Sequence, residues 1–359
     1  MHLTGVKRII KCEKSDLVEL SKEEQDYYSR QIVMVEMGHN AQIKLKNSKA
    51  VVVGVGGLGS VVATQLAAMG VGYLRIVDRD FVEITNLHRQ HLYCIDDLGY
   101  PKVEAAAKRL RKINPYIIVE PLALSVNQSN AKDIIRDMDI VVDGLDSMAA
   151  RYVINRACNE LKVAYVFGAA VATAGNLSTI VPEKTACLEC FYGRLDDKKL
   201  PKCGVVGVHP SVVNVIASLE VSEVIRLLTG RESCLANKLL YFDLEELEFN
   251  KVQLSKVNCC PVCGQSDFLD LVKHKLVEEL CSRNGKRAFI FVPEDQSDIN
   301  LRESLNELEK KGFRTKIMAE LGLTAVLDDV KVSILKSGVS IIEGVNEKEK
   351  ALMLFHEVT

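Results

Sequence analysis

Residues 51–60 read VVVGVGGLGS and place Gly54, Gly56, Gly57 and Gly59 directly after an apolar run. Glycines spaced G-x-G-x-x-G between a strand and a helix let a phosphate approach the backbone at a helix N-terminus. Asp78 follows nineteen residues after the last glycine, where an acid can take a ribose hydroxyl. These two features leave the ligand open between a nicotinamide dinucleotide and another phosphate compound, with a ligand-free tight turn as the bland alternative. The neighbouring residues discriminate. Asp78-Arg79-Asp80 is followed by Asn86-Leu87-His88-Arg89-Gln90, by Lys102 after Pro101, and by Asp143-Gly144-Leu145-Asp146. Arg89 and Lys102 are cations able to reach phosphates, and Asp146 is an acid suited to magnesium. Each alone reads equally well as a solvated charge. Together they are parts for moving or releasing phosphates rather than for hydride transfer.

The cysteines suggest a second chemistry. Cys187-Leu188-Glu189-Cys190 and Cys260-Pro261-Val262-Cys263 are two C-x-x-C pairs, seventy residues apart. Four thiolates so paired can hold one tetrahedral zinc and staple distant segments; the alternative is four unligated buried thiols. Cys259 has the wrong spacing to Cys263 for that set. Cys203 stands apart in KLPKCGVVGVHP, with Lys198, Lys199 and Lys202 before it, and nearby positive charge favours a thiolate. Its bland reading is an inert loop thiol. Cys12, Cys94, Cys158, Cys234 and Cys281 are expected to pack as small hydrophobes. His209 is expected to start a helix, with assistance to Cys203 the lesser reading.

Strands and helices must position these groups. Ser21 and Glu24 form a capping-box pattern ahead of a first helix. Strands are expected at 50–54, 73–78, 117–122, 139–144 and 164–170, and helices at 58–69, 103–113, 130–137 and 151–161. This alternation predicts an α/β fold, a Rossmann-like, doubly wound, mostly parallel sheet. Gly54, Asp78 and Asp143 then end strands and should line one sheet edge. NLSTIVP reads as a further strand, 210–228 as a long apolar helix, and KLLYFDL and LEFNKVQL as two strands. Residues 266–359 read as a separate small α/β domain: helix 267–282, strand 287–292, helix 299–311, strand 313–318, strands KVSIL and VSIIEG, and helix 346–356. The division expected is an extension over 1–20, a nucleotide-binding domain with the zinc site over 21–265, and the small domain over 266–359.

Composition sets outer limits. The chain has 359 residues, 48% of them hydrophobic, and a formal net charge of −2. That charge gives no electrostatic case for nucleic acid or an anionic membrane. No apolar run reaches the ~18 residues of a membrane span, and the N-terminal residues lack a signal-peptide pattern. A cytoplasmic location is expected, in which eleven cysteines argue for thiols and metal rather than disulfides.

At this point VGVGGLGS, VDRDFVEITNLHRQ, GYPKVEAAAKRL, INP and VVDGLDSMAARYVIN resemble the adenylation domain of the ThiF/MoeB/HesA ubiquitin-activating-enzyme superfamily, over roughly residues 20 to 265. The resemblance implies ATP on the glycine loop and an attack on its α-phosphate by the C-terminal carboxylate of a ubiquitin-like or sulfur-carrier protein ending in Gly-Gly. It implies that Gly54, Gly56, Gly57 and Gly59 cradle phosphate and that Asp78 binds ribose. Asp80 and Gln90 join the nucleotide contacts. Asn86, Arg89 and Lys102 would contact the triphosphate, and Asp146 would hold magnesium. Arg30, in YYSRQI, would reach the ATP of the partner in a homodimer. It supports zinc on Cys187, Cys190, Cys260 and Cys263, and implies that Cys203 can form a thioester or acyl disulfide. Family members often have Asn where this chain has Ser147, so a ligand role there is weakened. Residues 266–359 show no glycine-rich sulfurtransferase loop, and no rhodanese domain is expected; the region could bind the ubiquitin-like partner or a downstream conjugating or sulfur-transfer enzyme. The competing readings are adenylation of a peptide or tRNA-modification substrate, a non-catalytic scaffold for a ubiquitin-like protein, and a nicotinamide oxidoreductase.

Overall fold

The computed structural model describes residues 17–200, 206–264, 276–281 and 287–359. The chain begins with α1 (Lys22–Tyr27), α2 (Ser29–Ile32) and α3 (Gly38–Lys46). The capping box forms as the sequence predicts: Ser21 Oγ accepts the Glu24 N–H, and the Glu24 carboxylate accepts the Ser21 N–H. Next come β1 (Lys49–Val53), α4 (Gly57–Met69), β2 (Tyr73–Asp78), α5 (Lys102–Ile113), β3 (Ile118–Ala123), α6 (Ala131–Ile135), β4 (Ile140–Asp143), α7 (Met148–Leu161) and β5 (Ala164–Val171). The chain continues through β6 (Ala174–Ile180), α8 (Leu188–Tyr192), α9 (Pro210–Leu228), β7 (Lys238–Asp243) and β8 (Glu248–Gln253).

These strands form one sheet in the order β3-β2-β1-β4-β5-β6-β7-β8. The first five run parallel, and β6, β7 and β8 extend the sheet antiparallel. The sheet is therefore mixed. Along β1, Ala50 and Val52 enter one core with Leu66, Val103 and Ile216, while Val51 and Val53 enter the other with Ile154 and Tyr165. Burial of both faces is why this strand reads as an unbroken apolar run. Strand order reverses between β1 and β4, which places the ligand crevice there.

A second, antiparallel sheet is built from β9 (Val277–Cys281), β10 (Arg287–Phe291), β11 (Arg314–Met318), β12 (Gly322–Leu327), β13 (Val330–Leu335) and β14 (Ser340–Glu343). Its order is β11-β12-β13-β14-β10-β9. α10 (Leu301–Lys310) and α11 (Lys348–Val358) supply Leu308 and Phe355 to a core with Phe289 and Phe291. The alternate residues Ile290 and Val292 belong to the first sheet's core, with Phe81 and Val82. Two sequence readings change here. The expected helix 267–282 gives way to strand over Val277–Cys281, because that stretch pairs along β10; residues 265–275 lie outside the described residues. Strand β12 (Gly322–Leu327) escaped the sequence reading, and its polar Thr324 is drawn inside by a hydrogen bond to the Gly99 carbonyl.

One buried acid needs its own account. Glu220 on α9 is fully buried, and neither carboxylate oxygen has a hydrogen-bond partner among the described residues. A Cβ at Gly168 would lie 2.4 Å from its Oε1, so the strand approaches the acid as closely as glycine permits. Burial pushes the Glu220 pKa well above that of a free carboxyl, which favours the protonated form in the fold. A raised pKa favours folding below the unfolded value of ~4.3, and that benefit is lost as pH rises through the folded value. Glu220→Gln should therefore be more stable than wild type at neutral pH, with a gain that shrinks toward pH 4, as read by urea unfolding across pH.

Candidate functional site

The site starts from backbone contact. Gly54 has φ +87°, and a Cβ there would lie 2.5 Å from the Gly144 carbonyl oxygen. A Cβ at Gly59 would lie 1.8 Å from the Gly54 oxygen. Both positions are closed to any side chain. Gly56 and Gly57 differ: the nearest atoms to a Cβ there are Gln90 Nε2 at 3.8 Å and Val213 Cγ1 at 3.4 Å. The loop over the N-terminus of α4 thus keeps open space on the side where an anion is favoured. Gln90 is buried with its Oε1 unpartnered among the described residues, and the Arg89 Nε would sit 4.0 Å from a Gly57 Cβ. An orphan amide oxygen and a guanidinium therefore flank the open loop.

Asp78 ends β2, and its carboxylate accepts the Val55 N–H (2.7 Å) and the Asp80 N–H (2.8 Å). It ties the glycine loop to the next turn. Burial raises its pKa, against the pull of Lys102. Lys102 opens α5, is buried, and donates from Nζ to Asp80 Oδ2 at 2.9 Å. Burial opposes its charge, but Asp80 and Asp78 outweigh burial and raise its pKa. Burial likewise pushes Asp80 up, and Lys102 with Arg79 overcomes this to leave it lowered. Both partners are ionised at neutral pH. Asn86 caps a turn by accepting the Glu83 N–H, and Arg89 Nη1 donates to the Thr85 carbonyl at 2.8 Å. Asp146 is exposed and makes no hydrogen bond among the described residues, while its charge is felt by Lys102 and Arg79.

Asp143 departs from expectation. It does not line the crevice but is fully buried, accepting from Arg151 Nε (3.0 Å), the Tyr165 hydroxyl and the Leu145 N–H. Arg151 also donates from Nη2 to the carbonyls of Leu145 (2.6 Å) and Gly168 (2.9 Å). It fixes the turn that presents Asp146, a part the sequence reading missed because Arg151 looked like an ordinary helix residue. Ser147 caps α7 through the Ala150 N–H, which gives it a role where the family asparagine is absent. His209 caps α9 by accepting the Ser211 N–H at Nδ1, as expected. Arg30 is exposed on α2 and makes no hydrogen bond or ion pair among the described residues. Cys203 lies outside the described residues.

The four paired cysteines converge. Cys187 and Cys260 Sγ are 3.5 Å apart, Cys190 and Cys263 are 3.3 Å apart, and Cys187 and Cys190 are 3.9 Å apart. All four sulfurs lie within 4.8 Å of one another. Zinc–sulfur bonds of ~2.3 Å in a tetrahedron require sulfur separations of ~3.8 Å, so the donor set fits that metal. Arg156 Nε, 3.0 Å from the buried Glu189 carboxylate, and Asn155 on the same helix hold the first pair in place. Cys259 is exposed and outside the cluster. Cys234 is exposed, contrary to its expected packing, and Cys94 is half-buried beside Arg109 and Asp97; Cys158 is buried as expected. Cys12 and the Cys281 side chain lie outside the described residues.

The glycine loop, paired cations and free acid at one crevice define an α/β nucleotide-binding enzyme. The family model "ThiF family" matches residues 28–262. A sulfur carrier protein ThiS adenylyltransferase of Bacillus subtilis is 33% identical over 336 residues, covering 92% of this chain and 98% of the relative. A SAMP-activating enzyme E1 of Haloferax volcanii is 37% identical, covering 67% of this chain and 89% of the relative. Escherichia coli MccB, solved with AMPCPP and MccA, superimposes with a TM-score of 0.61 at 27% identity, covering 67% of this chain and 75% of that one. The chain belongs to the ThiF family and is an adenylyltransferase. The Bacillus relative's similarity extends into the antiparallel sheet, since 92% of the chain cannot be covered without it.

Replacing Arg151 by Met leaves Asp143 buried without its counter-charge. It should cost about 3–5 kcal/mol of stability in denaturant unfolding, the range for breaking one half of a buried pair.

Proposed function

We propose that the chain adenylates the C-terminal glycine of a ubiquitin-like sulfur-carrier protein with ATP and releases pyrophosphate. The observation that carries this reading is the placement of Lys102, Arg89 and Asp146 at the same crevice as the open glycine loop. The nucleotide's phosphates lie over Gly56 and Gly57 at the α4 N-terminus, where the Gln90 amide can donate to them from Nε2. Asp78 and Asp80 face the ribose, and Asn86 adds a polar contact. The carrier's terminal carboxylate is already ionised at neutral pH, so no general base is required. It attacks the α-phosphorus, the bond to the bridging β-phosphate oxygen breaks, and pyrophosphate departs. Lys102 and Arg89 offset the charge that grows on the leaving group. Asp146, without a competing hydrogen bond among the described residues, would hold magnesium, which screens triphosphate charge when bound.

The finer parts of the reading follow. The thiols of Cys187, Cys190, Cys260 and Cys263 hold a structural zinc, supported by their separations. Cys203 then attacks the acyl-adenylate carbonyl, forming a thioester as AMP leaves; on a sulfur-transfer route, a Cys203 persulfide that has taken its outer sulfur from a persulfide donor attacks through that sulfur instead, forming an acyl disulfide as AMP leaves. The names of the Bacillus and Haloferax relatives support a sulfur carrier or another ubiquitin-like protein as the acceptor. A homodimer in which Arg30 reaches the neighbouring subunit's ATP is supported by the exposed Val33, Met34 and Val35 beside it. No helix of the described residues is long and apolar enough to cross a membrane, and a cytoplasmic location completes the reading. The division at residues 20 and 265 belongs to it as well.

ATP–pyrophosphate exchange with a Gly-Gly-ending carrier tests the core of it. Wild type should exchange, Cys203→Ala should exchange equally, and Lys102→Ala and Asp146→Asn should each fall roughly 10²-fold or more. Exchange that ignores every such carrier while ATP still binds would move the acceptor to a peptide or a tRNA-modification substrate. The metal is checked separately. Purified protein should contain about one zinc per chain by elemental analysis, and Cys260→Ser or chelation should lower its melting temperature.

A further inference from the structure

We infer that the antiparallel C-terminal sheet is a working part of the nucleotide site, with Glu278 the positioning residue that holds Arg79 away from Asp80 and Asp146. The inference rests on the ATP site proposed above and concerns which residues keep it in order.

The contacts fall where that site is made. Glu278 on β9 takes both terminal nitrogens of Arg79, at 3.1 and 2.8 Å, and Arg79 Nη1 lies 3.3 Å from Ser125 Oγ. Arg79 stands between Asp78 and Asp80 in sequence, and the charges of both Asp80 and Asp146 act on it. Two forked hydrogen bonds to one carboxylate fix the plane of a guanidinium, which a lysine or a single contact would not do. A second set of contacts grips the chain on both sides of Lys102. Thr324 Oγ1 donates to the Gly99 carbonyl at 2.9 Å, and the Glu104 carboxylate accepts the N–H groups of Glu320 (3.2 Å) and Leu321 (2.8 Å). A Cβ on Gly322 would lie 2.9 Å from the Pro101 ring, so the sheet rests directly on that proline. The gripped stretch pairs with the acid-bearing turn: Val82 N–H bonds to the Tyr100 carbonyl, and Lys102 N–H to the Asp80 carbonyl at 2.9 Å. Whatever holds Gly99 to Lys102 therefore holds Asp80.

The charge arithmetic gives Glu278 its specific task. Asp80 must face Lys102, and Asp146 must stay free for a cation. Arg79 is a third cation, and the charges of both acids act on it. With Glu278 in place its two forks are engaged elsewhere. Without that carboxylate, Arg79 turns to Asp80 or Asp146, displacing Lys102 from the first or a metal ion from the second.

The test uses the full chain and two readouts: the dissociation constant of Mg-ATP by calorimetry, and the ATP KM and kcat of pyrophosphate exchange. Glu278→Gln should weaken ATP about fivefold or more in both and lower kcat as well, with the melting temperature nearly unchanged. Adding Arg79→Met should restore ATP affinity to within about twofold of wild type, because the competing cation is gone. A merely structural contact would give no such recovery. Wild-type ATP affinity in Glu278→Gln, or a loss that Arg79→Met leaves in place, overturns the inference. If Glu278→Gln does not fold, Glu278→Asp, which keeps the charge but shortens its reach, takes its place under the same two criteria. A wild type that binds ATP but never exchanges would sink the adenylation reading alone, since the calorimetric comparison stands without it.

Discussion

Three backbone segments meet at the top of the central sheet with no room for a side chain between them. The carbonyl of Gly54 touches the start of α4 at Gly59 and the end of β4 at Gly144, and a Cβ at Gly144 would sit 2.1 Å from that same oxygen. Strand order reverses at this contact, so the crevice opens there. Because the two strands and the helix approach so closely, the α4 N-terminus faces the crevice, and the ends of β2 and β4 bring Asp78 and Asp146 to its rim. Any residue larger than glycine would push these elements apart and disperse the site.

Around that contact the acids divide by environment. Asp143, one residue below the surface, is consumed by Arg151 and Tyr165 and serves architecture. Asp146, three residues on, is exposed and chemically available. Asp78 spends both oxygens on backbone N–H groups and so fixes the loop as well as facing the crevice. Carboxylates of the same type at one sheet edge thus take different roles according to burial and to the donors each meets. The pairing of Lys102 with Asp80 follows the same rule: a buried ammonium keeps its charge because an acid is placed against it.

Two sets of contacts join segments that are distant in sequence. The four cysteines join α8 to the loop at 257–264, and Glu189, between the first two thiols, is anchored to α7 by Arg156. The antiparallel sheet covers the turns that follow β2 and precede α5, and residues of β10 alternate between its own helices and the first sheet's core. Residues of the second sheet thus pack directly into the core of the first.

The sequence by itself determined the central sheet and its ligand class. Continuous apolar strands, spaced glycines and helix caps are local signals, each set by periodicity or backbone conformation within a few residues, so 50–54, 73–78 and the α9 start at His209 could be read directly. The ordered resemblance pointed to the residues proposed for the nucleotide, and the paired spacing anticipated the convergence of the four thiols. What tertiary structure decided was everything set by contacts far apart in sequence. Asp143 reads like a crevice acid until Arg151 and Tyr165 surround it. Val277–Cys281 reads as helix until β10 offers it a ladder. Glu278 reads as a surface charge until Arg79, 199 residues earlier, meets it. Local propensity is written in neighbouring residues, whereas burial and charge pairing arise only when the chain folds back on itself.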